Sequence, residues 1–361
     1  MKMTNVKTRL LKALALLAAV LLLLAAFPAC ASYDRDYAIY ELWVAGVKVT
    51  TRNQDDILGD GTVSYVGNGK TGTLTLNGAD LSESANDIWE ALIVSTIEKL
   101  TVELVGENKI GMGEKPPVNG ISAFDLEITG EGSLSVGARA SCIKANTLTV
   151  ESGAIDTYIK TAEDEIASFI GVGLWAQELL TVNGGEIEVH YAPEYTALSY
   201  GLYCVQDLVV NGGTVSIREE NAAALAIGVI SSEKLTVAGG TLQVYGNDDA
   251  MNAKYFEMTG GTVRASAVDL FLAGFDPTTG DFVFGSDGVC RLVLGAEFSG
   301  GSFALAALER MDRAVPTLYS INLVLEGMRV SGGEGEDTLA EKDISTYAYT
   351  DTYIRIEKEE G

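Results

Sequence analysis

Four tyrosines lie close together in the chain beside its single histidine. Tyr191 follows His190 directly, and Tyr195, Tyr200 and Tyr203 come shortly after it. A tyrosine ring has a flat apolar face and a hydroxyl at its edge, which suits stacking on a sugar ring. These four tyrosines are therefore the candidate ligand-binding residues. The alternative is that part of the group packs on the wall of the fold.

One acidic segment has the oxygen donors that a calcium site needs. Asn247, Asp248 and Asp249 follow a strand-like segment that ends near Val244. Grouped side-chain oxygens are the ligands that Ca²⁺ prefers, although the same residues also suit an ordinary Asx turn. A site built from several histidines is excluded, because His190 is the only histidine. Ca²⁺ is thus the candidate cofactor, with Asn247, Asp248 and Asp249 as its ligands.

The sequence shows no catalytic motif. Apart from Cys30, the cysteines are Cys142, Cys204 and Cys290, and we interpret them as buried free thiols; a catalytic cysteine paired with His190 is the alternative. Glycoside hydrolysis needs paired carboxylates, and with 50 acidic residues some pairing is expected by chance. The sequence therefore favours a non-catalytic protein.

The charge balance excludes two classes of partner. The chain has 25 basic and 50 acidic residues and a net charge of -25. Such a surface repels nucleic acid and anionic membranes. We therefore expect neither of them as a partner, and expect membrane contact only through a lipid anchor.

Residues 1–31 are typical of a secretory signal peptide. A basic start precedes an apolar run from Ala13 to Phe27, which is shorter than the ~20 residues of a membrane span. Ala29 and Ala31 form a conventional cleavage site. Alternatively, the segment that ends at Cys30 is a degenerate lipobox, and Cys30 becomes a lipidated amino terminus. Both alternatives predict a protein that is secreted or held on the cell surface.

An apolar and glycine pattern recurs along the middle of the chain with a mean spacing of about 26 residues. The best copy runs Leu180-Thr-Val182-Asn-Gly184-Gly185-Glu-Ile187-Glu-Val189. A repeat of this length indicates a solenoid or a similar array. The copies begin at Leu74, Leu100, Leu126, Leu148, Leu180, Leu208, Leu235 and Phe256.

The spacing inside a copy predicts a corner at the glycines. Val182 and Ile187 are five positions apart, so one continuous strand would place them on opposite faces. The glycine pair must turn the chain, and glycine reaches positive φ at little steric cost. Three short strands and three corners per copy predict an all-β fold, a right-handed parallel β-helix. Asn77, Asn183 and Asn211 precede corner glycines, and asparagines in adjacent copies are expected to stack as an amide ladder.

We divide the chain accordingly into four parts. Residues 1–31 are the signal peptide, residues 32–73 an amino-terminal β cap, residues 74–303 the parallel β-helix, and residues 304–361 a carboxy-terminal β cap or small β domain. Caps are expected because a terminal coil would otherwise expose apolar surface and strand edges.

The copy consensus Leu-Thr-Val-Asn-Gly-Gly-x-Ile-x-Val resembles secreted bacterial β-helix proteins of the carbohydrate-binding-domain type. Asn247-Asp248-Asp249-Ala250-Met251 is similar to the Asp-Asp-Ala-Ile-His segment of that family. Methionine and asparagine here replace its usual isoleucine and histidine. The segment from Tyr40 to Val49 resembles surface proteins of gut Firmicutes. The resemblance covers residues 40–270. Some members of the family bind acidic plant polysaccharides and hold calcium. The resemblance therefore implies a polysaccharide partner and bound calcium.

The leading functional hypothesis is a non-catalytic β-solenoid that binds a polysaccharide or glycan along its side. One alternative is a structural or adhesive surface protein with a protein partner. The other is a polysaccharide lyase or glycoside hydrolase.

Overall fold

A computed structural model describes most of the chain. The described residues are 39–82, 91–160, 170–191, 199–218, 226–246, 250–267, 273–275, 282–284, 290–307, 318–319, 323–342 and 353–359.

The described residues form an all-β structure with two large sheets, apart from a 3-10 helix at Glu336–Thr338. Sheet 1 comprises β1 (Ile39–Val44), β2 (Val47–Thr50), β3 (Val63–Gly67), β4 (Thr71–Asn77), β6 (Ala91–Ser95), β7 (Lys99–Val105), β9 (Asn119–Gly130), β11 (Ser141–Val150), β13 (Gly171–Val182), β15 (Ser199–Cys204), β16 (Asp207–Val210), β18 (Ala226–Val237), β20 (Met251–Met258), β24 (Cys290–Phe298), β26 (Leu318–Tyr319) and β27 (Leu323–Leu325). Sheet 2 comprises β5 (Asp80–Leu81), β8 (Glu107–Ile110), β10 (Ser133–Ala138), β12 (Ala154–Ile159), β14 (Glu186–Tyr191), β17 (Thr214–Arg218), β19 (Thr241–Gly246), β21 (Thr262–Ala267), β25 (Ser302–Ala307), β28 (Met328–Gly333), β29 (Ala340–Glu341) and β30 (Tyr353–Lys358). A separate hairpin pairs β22 (Ala273–Phe275) with β23 (Phe282–Phe284).

Equivalent residues of successive copies pair across parallel strands of sheet 1. Leu180 pairs with Leu208, and Leu208 pairs with Leu235. The same register holds from Leu100 to Phe256, which confirms the predicted repeat over that range. At the first copy the prediction is wrong by two positions, because Leu74 pairs with Val102 rather than with Leu100. Alternating apolar residues look the same after a shift of two, so the pattern could not choose between these registers.

The glycine pair turns the chain from sheet 1 into sheet 2, as predicted. Val182 ends β13 and Ile187 lies in β14, and both side chains are 0% exposed in an apolar core that both sheets share. Gly185 has a φ of +80°, which other residues rarely adopt. A Cβ on Gly184 would lie 2.5 Å from the carbonyl oxygen of Glu151 in the preceding copy. The first glycine is therefore required by close approach, and the second by its backbone conformation and by close approach, since a Cβ on Gly185 would lie 2.5 Å from the Gly153 carbonyl oxygen.

The expected corner between the first two strands of a copy lies within one sheet, and in some copies a register shift marks it. Between β11 and β13 the register shifts from Ala145 to Thr147, and between β18 and β20 it shifts from Ser231 to Lys234, whereas β11 and β9 pair without a shift. Hydrogen bonding to the neighbouring copy resumes after each shift. Each copy thus contributes strand segments to two sheets rather than to three.

In the described part of the chain, sheet 1 begins and sheet 2 ends with antiparallel pairs, whereas β26 and β27 at the end of sheet 1 pair with β24 in parallel. At the amino-terminal end β1 pairs with β2 and β6, and β3 pairs with β4. At the other end β30 lies between β25 and β28 and is antiparallel to both. The boundaries of the two caps stay a prediction, and residues 1–38 with Cys30 lie outside the described residues. In the described part of the chain no helix has the length and apolar character needed to cross a membrane.

An amide ladder connects three successive corners on the outside. The Asn211 side-chain amide donates to the Asn183 side-chain oxygen at 2.8 Å, and the Asn183 amide donates to a Glu151 carboxylate oxygen at 2.9 Å. This confirms the predicted stacking for Asn183 and Asn211, whereas Asn77 pairs with Val105 of the next copy.

Candidate functional site

An aromatic row lies on the outer face of sheet 1. Trp175 in β13 is in register with Tyr203 in β15, so the two side chains occupy adjacent strands about 4.8 Å apart. The residues that flank Trp175 are fully buried, so its ring points away from the core. We call Trp175, Tyr200 and Tyr203 the aromatic row.

Tyr200 joins this row because the strand between it and Tyr203 departs from strict alternation. A Cβ on Gly201 would meet the buried side chain of Ile217, and Leu202 is itself fully buried. Two successive residues therefore face the core, and the tyrosines on either side of them both face outward. Their rings stack with centroids 5.2 Å apart and an interplanar angle of 20°.

A cation lies at one end of the aromatic row. Lys144 pairs with Trp175 across β11 and β13, and its Nζ lies 4.9 Å from the centroid of the tryptophan ring. Such a cation–π contact contributes about 0.5–1 kcal/mol at an exposed site. It holds the lysine against one face of the ring and leaves a positive charge beside the row.

The predicted ligand-binding tyrosines do not form one cluster. Tyr200 and Tyr203 are half-buried neighbours on sheet 1, whereas Tyr191 is 4% exposed and packs in the core at the end of β14. Tyr191 continues the inward alternation of Ile187 and Val189, which leaves little of its ring for a ligand. Tyr195 lies outside the described residues.

The predicted calcium ligands also lie outside the described part of the chain. Asn247, Asp248 and Asp249 fall between β19 and the start of β20. The calcium site therefore stays a prediction.

A second group of polar side chains lies on the outer face of sheet 2. Asp156 in β12 pairs with Glu188 in β14, and His190 is two residues further along β14 on the same face. His190 Nε2 lies 3.5 Å from Glu188 Oε2, and Arg218 Nη2 lies 3.3 Å from Glu188 Oε1. Asp156 belongs to the same group as Glu188 and His190, because their ligand atoms all lie within 4.8 Å of one another. We call Asp156, Glu188 and His190 the His–acid cluster.

Burial governs the titration of Asp156 in this cluster. Burial raises the pKa of the Asp156 carboxyl, the positive charge of His190 lowers it, and the carboxylates of Glu188 and Glu186 raise it again. Burial is the largest of these effects, so the pKa shift is upward overall.

The two described cysteine side chains are buried free thiols, as predicted. Cys142 and Cys204 lie in the core, and burial raises both pKa values, that of Cys142 to about 12. His190 instead lies on the outer face of sheet 2. A catalytic pair of either cysteine with His190 is therefore wrong.

The aromatic row lies inside a segment that matches a known family. Residues 158–270 match the family model of carbohydrate-binding domain-containing proteins. The matched segment includes Trp175, Tyr200 and Tyr203, but also Glu188 and His190 on the other sheet. Comparison with curated proteins and with solved structures found no match.

Sequence reasoning missed Trp175, Lys144 and both acids of the His–acid cluster. A signal was present in the copies themselves. Trp175 in Leu174-Trp175-Ala176 has the same copy position as Tyr203 in Leu202-Tyr203-Cys204. Aligning the outward positions of successive copies, in addition to the inward ones, would have brought these residues together.

Proposed function

We propose that the protein binds a glycan on the aromatic row of sheet 1. The observation that carries this proposal is the position of three outward aromatic rings, Trp175, Tyr200 and Tyr203, within the segment that matches carbohydrate-binding domain-containing proteins. Aromatic faces pack against the C–H faces of sugar rings, and the tyrosine hydroxyls and the Lys144 ammonium supply hydrogen-bond donors at the edges.

The position of the row on an open sheet face suits an extended ligand. Rings on adjacent strands follow the direction in which the copies stack, so a polysaccharide lying across the strands contacts Trp175 and then Tyr203. A shallow site of this kind gives modest affinity, because few ligand groups are fully desolvated. We propose binding without catalysis.

We also propose that sheets 1 and 2 are walls of a right-handed parallel β-helix. Strands alternate between the sheets along the chain, equivalent residues stack in register, and crossovers between parallel strands are right-handed in nearly all proteins. We further propose that the protein is secreted or held on the cell surface by lipidated Cys30, and that calcium at Asn247, Asp248 and Asp249 assists binding.

A glycan array followed by calorimetry with the strongest ligand tests the binding site. Trp175→Ala and Tyr203→Ala each remove a stacking face, so we expect each to weaken binding by about tenfold. Phe124→Ala is the matched control: Phe124 is 53% exposed on sheet 1 but does not belong to the aromatic row, and this variant should keep the native affinity. Thermal melts verify that all three variants are folded.

Three results separate this proposal from its alternatives. An array on which no plant or cell-wall polysaccharide binds contradicts it and favours a protein partner. Native affinity in both row variants shows that the glycan binds elsewhere. Release of reducing ends by the purified protein establishes a hydrolase or lyase instead. Repeating the titration with EDTA tests the part assigned to calcium.

A further inference from the structure

The His–acid cluster has a mixed donor set on a rigid support. Asp156 and Glu188 occupy paired positions on two parallel strands, and the side chain of His190 projects from the same face of β14 as Glu188. One imidazole nitrogen and two carboxylate oxygens lie within 4.8 Å of one another. The backbone of sheet 2 holds all three, so the site needs no loop to close it.

A neighbouring ring fixes the imidazole. Tyr158 stacks on His190 with centroids 4.7 Å apart and an interplanar angle of 11°. The side chains of His190 and Glu188 are only 21% and 24% exposed. Stacking and partial burial restrict rotation of the imidazole, so less conformational entropy is lost when a ligand binds to it.

The two oxygens of Glu188 have different neighbours. Oε2 faces His190, whereas Oε1 faces the guanidinium of Arg218. Arg218 therefore orients the carboxylate from outside and leaves Oε2 available beside the imidazole. A charged partner beside a metal-binding carboxylate can hold it in the orientation that the metal needs.

We propose that Asp156, Glu188 and His190 bind a single Zn²⁺ ion on the outer face of sheet 2. Imidazole with carboxylates suits Zn²⁺, whereas Ca²⁺ and Mg²⁺ select oxygen donors alone. Three protein ligands leave a position for water or for a group of a bound molecule. The site is separate from the aromatic row and does not depend on glycan binding there.

The single histidine makes a direct test available. The chain is prepared without a histidine tag and with carbon-13 in its imidazole, so its NMR spectrum reports His190 alone. We expect Zn²⁺ to shift this resonance until one equivalent has bound. Ca²⁺ at a much higher concentration should leave the resonance in place.

Calorimetry with Zn²⁺ assigns the other two ligands. Asp156→Asn and Glu188→Gln keep the side-chain shape and should each weaken binding by about tenfold or more. Glu127→Gln, which changes a half-buried outward acid on sheet 1, should bind as the native protein does. Melting temperatures in EDTA verify that each variant is folded.

Two outcomes would overturn the proposal. One is an imidazole resonance that millimolar Zn²⁺ does not move. The other is native Zn²⁺ affinity in both Asp156→Asn and Glu188→Gln, which would place the ion among other surface acids. Neither outcome bears on the glycan proposal, because the aromatic row lies on the other sheet.

Discussion

At the scale of single residues, the direction of each side chain decides whether it takes part in packing or in binding. Cys204 and Tyr203 are consecutive, yet the thiol is buried in the core and the ring lies on the outer face. His190 and Tyr191 differ in the same way. The reactivity of a side chain therefore depends on whether it points into the core or to the outer face, and not on which residues are its neighbours in the sequence.

The buried thiols provide a prediction at this scale. In a chain with Cys30→Ser and Cys290→Ser, we expect no reaction of Cys142 or Cys204 with a thiol reagent at pH 8 in the native state. Burial hides both sulfurs, and a Cys142 pKa of about 12 leaves little thiolate at that pH. Absorbance of the released thiolate measures the reaction. Two thiols should react once guanidinium unfolds the protein, and rapid reaction before unfolding would contradict the burial.

At the scale of elements, the corners between the sheets are the most constrained positions. The second glycine of each pair combines positive φ with contact against the preceding copy, as at Gly213. Both conditions come from stacking, since the turn of one copy rests on the turn of the one before it.

Three glycine substitutions separate the effect of positive φ on stability from the effect of contact with the preceding copy. Gly213→Ala is destabilised by backbone conformation and by contact, because φ is +73° and the new Cβ would lie 2.6 Å from the Gly185 carbonyl oxygen. Gly59→Ala places alanine at positive φ with open space around it, and should lower the free energy of unfolding by about 1–2 kcal/mol. Gly335→Ala has open space and extended backbone, and should change the free energy of unfolding by less than about 0.5 kcal/mol.

Denaturant unfolding of the three variants measures this order, with Gly213→Ala the least stable. If Gly213→Ala cost no more than Gly59→Ala, contact between successive turns would not constrain the corner.

At the scale of the whole molecule, parallel stacking leaves an open strand edge at each end of an array. Here β30 covers β25 in the antiparallel sense, and β28 follows it. An uncovered β25 would present unpaired backbone groups to a second chain.

Shortening the chain tests this arrangement. A chain that ends at Lys342 lacks β30, and we expect it to associate increasingly with concentration, as measured by light scattering after size exclusion. A chain that ends at Glu359 retains β30 and is the matched control. A truncated chain that stays monomeric and melts at the native temperature would show that β30 does not protect the edge.

The sequence by itself determined the repeat and the interior. Leu180, Val182 and Ile187 must be buried, and the odd number of positions between Val182 and Ile187 requires a turn at the glycines. The register of most copies followed from the same pattern. The two-residue error at Leu74 and the register shifts between some neighbouring copies did not follow, because an alternating pattern is unchanged by a shift of two and says nothing about where a sheet bends.

Only the tertiary structure decided which outward side chains become neighbours. Asp156 and Glu188 are 32 positions apart in the chain and pair across adjacent strands, and Trp175 meets Lys144 and Tyr203 in the same manner. Burial of apolar surface constrains inward positions strongly, whereas outward positions are free to vary. The hydrophobic pattern therefore predicts the scaffold, and the stacking of unequal copies assembles the two candidate sites.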